Sequence, residues 1–433
     1  MTTETQTGQH ISSIPSFVNL FTAFGRIGLL SFGGPAAQIA LMHRVLVEEK
    51  AWLTEKQFLN ALSFCMLLPG PEAMQLATYA GWRLNGIIGG LMAGLLFVLP
   101  GAAVILALGA IYVYFGSVPL ISSLFLGIKA AVVIIVIEAL LKVAKRALKG
   151  VTLWVIAALA FVGIFFLELP FPLIVLLAAL YGFFRKGESQ SQDAMPLPAG
   201  RSLSKAFLWI GFWLIVWWAP VLLIAAFSNV PILTDIALFF SKLAVVTFGG
   251  AYAVLAYMAQ DVVNQFGWLS AGEMMDGLGL AETTPGPLIL VTEFVGFLAA
   301  FYEGGFLLGL AGAALTLWVT FVPCFLWIFT GAPYIDWSSH QPRLERALNG
   351  ITAAVVGVIL NLSIWFALHV FFTEVTKEEL GPVTIWQPAF ASFDGKVLIL
   401  TAVAAGLLLY RKWSITHVLL VCAGGVLMLS YLF

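Results

Sequence analysis

Apolar stretches of about twenty residues follow one another along almost the whole chain, parted by short polar or proline- and glycine-bearing breaks. Runs of about 18 or more apolar residues are long enough to cross the hydrocarbon of a bilayer as helices. In its first part the pattern predicts a helix over 15–32 that meets Phe32-Gly33-Gly34-Pro35, then an amphipathic piece to Lys50. Two short helices over 55–68 and 72–84 come next, parted by Pro69-Gly70-Pro71, and four spans follow over 86–115, 119–144, 151–167 and 170–184. A second series covers 232–249, 250–265, 271–284, 288–301, 304–330, 345–372, 396–410 and 414–432. The ten-residue alternating strands of a transmembrane barrel are not seen. The expected fold is all-α, a polytopic transmembrane helical protein with broken or re-entrant helices.

The two series are copies. Phe32-Gly33-Gly34 recurs as Phe248-Gly249-Gly250, Trp52-Leu53 as Trp268-Leu269, and Pro69-Gly70-Pro71 as Pro285-Gly286-Pro287, each 216 positions later. Without gaps, residues 24–71 and 240–287 share 14 identities in 48. Rare Trp, Pro and Gly residues hold this register, which coincidence among apolar stretches would not do. Beyond the prolines the offset becomes 223: Pro100 matches Pro323, and Gly127-Ile128 matches Gly350-Ile351. The seven extra residues fit a longer connection around Tyr302-Glu303-Gly304-Gly305. The expected organisation is a polar tail over 1–14, a first membrane repeat over 15–184 and a cytoplasmic linker over 185–205. One unmatched helix over 206–227 and a second repeat over 228–433 complete it.

Basic residues orient the copies. Lys142, Lys145, Arg146 and Lys149 follow one span, and Arg185, Lys186, Arg201 and Lys205 lie in the linker. Arg343 and Arg346 precede the span over 345–372, and Arg411-Lys412 follow the span over 396–410. Cytoplasmic loops carry such excesses. The span over 119–144 then runs inward and its copy over 345–372 outward, so the repeats have inverted topology and the unmatched helix supplies the flip. Secondary transporters commonly use this arrangement, with broken helices of both repeats building a midplane site; some channels are inverted duplications too.

Composition agrees and excludes other classes. Hydrophobic residues make up 61% of the 433 and charged residues 10%, against about 25% charged in a soluble domain. Net charge is −1 and no basic stripe suits nucleic acid. Cys65, Cys324 and Cys422 show no metal spacing, so neither disulfide nor metal is expected. No phosphate-loop motif is present, no cofactor is implied, and no paired-aspartate, Ser/His or HExxH pattern suggests an enzyme. The N-terminus lacks the features of a signal peptide.

The candidate chemistry gathers at the breaks. Two prolines around a glycine interrupt a helix, and interrupted backbone survives in hydrocarbon only inside protein or beside a wet cavity. Helices beginning at Pro71 and Pro287 would turn free N–H groups toward the break, each helix start worth about +0.5 charge in all, where they suit a tetrahedral oxyanion. A simple packing kink is the alternative for Pro69, Gly70, Pro71, Pro285, Gly286 and Pro287. Gly33, Gly34, Gly249 and Gly250 permit the same exposure of N–H groups, or merely close helix packing. Arg26 and Lys242, six residues earlier, are charges within apolar helices; they could grip an anion or snorkel to headgroups. Gln75, Ser31, Thr247, Thr283 and Thr284 could donate to oxyanion oxygens. Glu72 and Glu282 could carry a coupling proton or pair with a basic residue. Lys129 and Glu138 are weaker candidates, and the histidines read as interfacial.

Phe-Gly-Gly-Pro, then Trp-Leu, then Pro-Gly-Pro resembles the N-terminal domain of the chromate ion transporter family, and the copy over 240–287 resembles its C-terminal domain. The resemblance spans about 15–180 and 232–430. It implies efflux of chromate across the inner, cytoplasmic membrane, with sulfate as a mimic. Ala251 stands where the first copy has Pro35, so the two glycine turns need not be equivalent. An interior-negative potential favours loss of anions by about 2.3 kcal/mol per charge per 100 mV, so export could run on potential, on proton exchange, or both. An oxyanion importer and a passive anion channel are the rival readings. The oligomeric state stays open, a homodimer included.

Overall fold

The computed structural model describes residues 15–116, 118–185, 203–248, 250–335 and 341–432. The tail over 1–14, Gly249 and nearly all of the expected linker lie outside those residues. Within them run α1 (Phe17–Leu30), α2 (Gly34–His43), α3 (Glu55–Cys65), α4 (Glu72–Phe115), α5 (Pro119–Ala147), α6 (Val151–Phe165), α7 (Phe171–Phe184) and α8 (Leu203–Phe227). The second series is α9 (Pro231–Val246), α10 (Ala251–Gln260), α11 (Ala271–Thr283), α12 (Val291–Gly331), α13 (Pro342–Phe371), α14 (Gly395–Ala405) and α15 (Ile415–Leu432). Among the described residues, five helices are long and apolar enough to cross a membrane, and several shorter apolar ones accompany them.

The repeat extends to local geometry. Thr54 caps α3 in a reciprocal pair with Gln57, and Ser270 caps α11 likewise with Glu273. Each closes two otherwise unmade N–H bonds, so both half-helices start in the same register after Trp-Leu. α2 and α10 both end in a π-helical turn, Arg44–Glu49 and Asp261–Gln265. α4 reverses at Asn85-Gly86 and α12 at Gly304-Gly305, where Gly86 and Gly305 take positive φ, 65° and 76°. Each is thus a hairpin of a short limb (72–84, 291–303) and a long one (87–115, 306–331). The limbs touch: a methyl on Gly81 would stand 2.2 Å from the Gly89 carbonyl, and one on Gly296 would meet the Gly312 carbonyl at 3.1 Å. These reversals place the seven extra residues differently from the sequence expectation. Three form the 3-10 turn Leu288–Leu290 ahead of α12, and four add one turn to its long limb, because the reversals themselves are 219 positions apart.

The copies run in opposite directions. α7 ends and α13 begins at one place, where a methyl on Gly182 would stand 2.2 Å from the Arg346 carbonyl. α5 ends on this same face with Lys145 and Arg146; it is called the basic face below. α5 therefore arrives where its copy α13 departs. The broken segments re-enter. On the far face the Tyr302 hydroxyl donates to Glu273 (2.5 Å), tying the start of α11 to the end of the short limb of α12. On the basic side Phe64 lies against Gly331 and Gly70 against Cys324, so α3 advances inward, and the short limb of α4 returns to Asn85, whose amide donates to the Pro15 carbonyl at the start of α1.

The repeats interlock. α5 packs on α14 and α15, while α13 packs on α6 and α7. Matched glycines allow the closest crossings: a methyl on Gly127 would stand 2.4 Å from the Cys422 carbonyl, and one on Gly350 2.4 Å from the Ala178 carbonyl. Small residues at such crossings let apolar helices approach where no hydrophobic drive separates lipid from protein. α8 lies at the rim against α9 and α12, burying Trp213 and Trp217 and exposing Phe207, Leu208, Ile215 and Leu222.

A two-stranded antiparallel hairpin, β1 (Val375–Leu380) and β2 (Val383–Pro388), was not expected from the sequence. It caps the far face, with Thr384 N–H donating to the Phe166 carbonyl (2.8 Å) and Lys377 paired with Glu168 (2.7 Å). Its bond to Glu168 raises the pKa of Lys377 above the ordinary lysine value.

Candidate functional site

The two Pro-Gly-Pro breaks and the two glycine turns converge on one point. Gly70 N–H donates to the Thr247 carbonyl (2.8 Å), and Gly286 N–H donates to the Ser31 carbonyl (2.9 Å). Gly70 and Gly286 are copies of each other, as are Ser31 and Thr247. Each break is therefore stitched to the C-terminus of the opposite repeat's first helix by the same bond. Positive φ at Gly70 (114°) and Gly286 (89°) turns these N–H groups outward, a conformation that side chains with a Cβ resist. Behind the breaks stand Cys324 and its copy Gly101, one against each glycine.

Between the stitches lies a hollow of about 20 Å³ lined by Gly70, Pro71, Glu72, Thr247, Gly250 and Pro287, with Pro35 and Gln38 from α2. It has room for a single water. Four helical starts meet there: those of α2, α4 and α10, and the 3-10 turn leading into α12. Each start adds partial positive charge from unmade N–H groups, so the hollow favours an anion. The glycine turns are indeed unlike: α2 begins at Gly34 after Gly33 at φ 85°, whereas α10 begins at Ala251, one position later in register, after Gly250 at φ 103°.

Other sequence candidates sit elsewhere. The hydroxyls of Ser31 and Thr247 donate back to Ile27 and Leu243 carbonyls, both at 2.6 Å, and those of Thr283 and Thr284 to Leu280 and Ala281. All four satisfy helix-end carbonyls that would otherwise be orphaned, so their carbonyls and backbone, not their hydroxyls, shape the breaks. Gln75 donates to the Pro69 carbonyl (2.7 Å) and holds the first break shut from behind. Glu282 accepts from the Tyr252 hydroxyl (2.7 Å) and makes no ion pair among the described residues, whereas Glu72 faces the hollow. Arg26 and Lys242 do not reach it. Arg26 pairs with Glu49 (2.8 Å), and the Lys242 ammonium stands 5.3 Å from the centre of the Tyr257 ring. Lys129 and Glu138 do not pair with each other: Lys129 binds Asp276 (3.2 Å) and Glu138 binds Lys142 (2.7 Å).

Two contributors escape a sequence reading. Gln38, buried, donates to the Gly286 carbonyl (2.7 Å), so α2 of one repeat holds the break of the other. Asp276, buried on α11, binds Lys129 and accepts from the Tyr112 hydroxyl (2.9 Å). Among the described residues no cluster of His, Cys, Asp and Glu could hold a metal.

A multi-pass helical protein whose inverted halves bring broken helices together at a buried point has the architecture that secondary transporters use. The chain matches the family described as chromate transporter over residues 18–183 and 234–429, and it belongs to that family. It is 31% identical over 375 residues to the chromate transport protein of Cupriavidus metallidurans, covering 84% of this chain and 86% of that protein. It is 32% identical over 386 residues to the chromate transport protein of Pseudomonas aeruginosa, covering 87% and 86%. The chain is 31% identical over 170 residues to an uncharacterized transporter of Bacillus subtilis, covering 38% of this chain and 94% of that protein. No solved structure matches this chain.

Proposed function

We propose that this chain exports chromate, and tetrahedral dianions of the same shape such as sulfate, across the cytoplasmic membrane by alternating access. The basic face is then cytoplasmic, as its lysines and arginines suggest. The observation that carries the reading is the reciprocal pair of bonds, Gly70 to Thr247 and Gly286 to Ser31, which sets four positive helical starts around one hollow. The hollow is too small for the anion as it stands, so the structure corresponds to a closed state and the breaks must part to admit substrate. Rocking of one repeat against the other does this in inverted-repeat transporters. The packing supports it: α10 is buried along 254–259, whereas its copy α2 leaves Ala36, Ala37 and Ala40 exposed. Membrane potential drives a dianion outward, and protonation of Glu72 at the hollow, or of Glu282 behind the second break, would couple proton exchange to the step.

Flux of radiolabelled chromate and sulfate in oriented vesicles under an imposed potential tests this. Saturable efflux from the basic face, accelerated by a potential negative on that side and competed by sulfate, is expected. Net uptake against the same potential would instead support an importer, and unsaturated flux at channel rates a channel; either result overturns the proposal.

A further inference from the structure

The far face carries a second cavity that neither stitch reaches. It has a volume of about 220 Å³ and lies beneath the β1–β2 hairpin, between the α6–α7 turn and α10. Its floor holds Lys242, Tyr257, Gln260, Asn264 and Gln265, with Asp261 beside them. Two of these groups are only partly engaged, both by Asp261. The Lys242 ammonium makes no ion pair within 4.0 Å among the described residues, in contrast to its copy Arg26, which Glu49 neutralises. The Tyr257 side chain is 4% exposed, and its hydroxyl faces the Asp261 carboxylate without a hydrogen bond of good geometry. A buried donor that is poorly satisfied is costly; Asp261 partly offsets both Tyr257 and Lys242, and the ammonium and three side-chain amides still leave donors for an acceptor with several oxygens and negative charge. The roof supplies a second cation, Lys377, held on Glu168 (2.7 Å) and Glu379 (3.3 Å). The Glu168 carboxylate is 47% exposed, so an arriving anion can take its place on Lys377.

We propose that this cavity is a far-face vestibule that holds a tetrahedral oxyanion, with Lys242, Tyr257 and the amides of Gln260, Asn264 and Gln265 as donors. It rests on the reading of the chain as an oxyanion transporter, and it assigns to Lys242 a station separate from the central hollow. An anion leaving the hollow on this face would pause there before the hairpin lets it go. Sulfate and a lipid phosphate share the required chemistry; the position beneath a polar hairpin, where α6 and α7 turn at Glu168, favours the free ion.

The test is equilibrium dialysis of radiolabelled sulfate against the purified full chain in detergent, with and without a soluble short-chain phosphatidylglycerol. Two classes of site per chain are expected. Lys242→Met and Tyr257→Phe each weaken one class by about tenfold or more, the scale of a lost hydrogen bond to a charged group. Tyr257→Phe keeps the ring under Lys242 and so spares the packing. Gln38→Leu weakens the other class. Unchanged isotherms in both Lys242→Met and Tyr257→Phe would overturn the vestibule, as would a class displaced by the phosphatidylglycerol and indifferent to unlabelled sulfate. Loss of one class in Lys242→Met with no effect of Gln38→Leu would uphold the vestibule and count against the central hollow instead.

Discussion

Gly101 lies in the long limb of α4 directly after Pro100, and a methyl there would stand 2.1 Å from the Pro285 carbonyl oxygen. In an isolated helix Gly101→Ala would be favourable by about 1 kcal/mol. Here ordinary contact begins near 3.4 Å, so the second break must withdraw by about 1.3 Å. The Gly286-to-Ser31 bond, 2.9 Å long, would then stretch past bonding distance and leave a buried donor unmet, at a cost of about 1–3 kcal/mol. Overpacking adds about 1–3 kcal/mol. The sum exceeds the helical gain, so the variant should melt several degrees lower and lose most chromate flux. Gly211→Ala in α8 is the control: nothing lies within 4 Å of a methyl there, so the same substitution should keep flux and hold or raise the melting temperature. Differential scanning fluorimetry with vesicle flux reads both. Wild-type stability and flux in Gly101→Ala would refute the close approach of that limb to the break.

Removing either partner of the Lys129–Asp276 pair strands a charge whose partner is buried, so Asp276→Leu or Lys129→Met should cost about 3–5 kcal/mol and the double variant markedly less; additive losses in denaturant melts would contradict this. Gln38→Leu removes the bond to the Gly286 carbonyl and should destabilise by about 1–3 kcal/mol and abolish flux, so an active, fully stable variant would count against the cross-repeat tie. The bond to Glu55, joining α2 to α3 and opposed by partial burial, raises His43 above 6.5. A raised folded value means this stabilisation is complete below the unfolded value and fades as pH rises through the folded one; the melting-temperature gap between wild type and His43→Gln should therefore narrow with rising pH, and a constant gap would refute it.

Most of the frame was legible because its signals are local. Prolines around Gly70 and Gly286 and apolar runs each declare themselves within a few residues, and duplication doubles each declaration. The inversion followed from Lys and Arg counts in loops, and the chain turns out to be interlocked as well as inverted. What failed was non-local or lacked periodicity. Gln38 meets Gly286 across 248 positions, and nothing in α2 marks that partner. Lys129 looked weak because its charge partner was sought on its own helix, whereas Asp276 comes from the opposite repeat. The β1–β2 hairpin escaped because β1 is exposed on both faces, so no apolar alternation betrays it. Hydroxyls at 31, 247, 283 and 284 were assigned to a ligand, but helix ends claim them first.

Selenate, a tetrahedral dianion with an anomalous signal, can locate the central site directly in a crystal of this protein. The account predicts an anomalous peak between the starts of α2, α4, α10 and α12, with Gln38 and Glu72 beside it and the breaks drawn apart to admit it. Breaks still stitched as here with no peak between them, in crystals that bind selenate elsewhere, would contradict it.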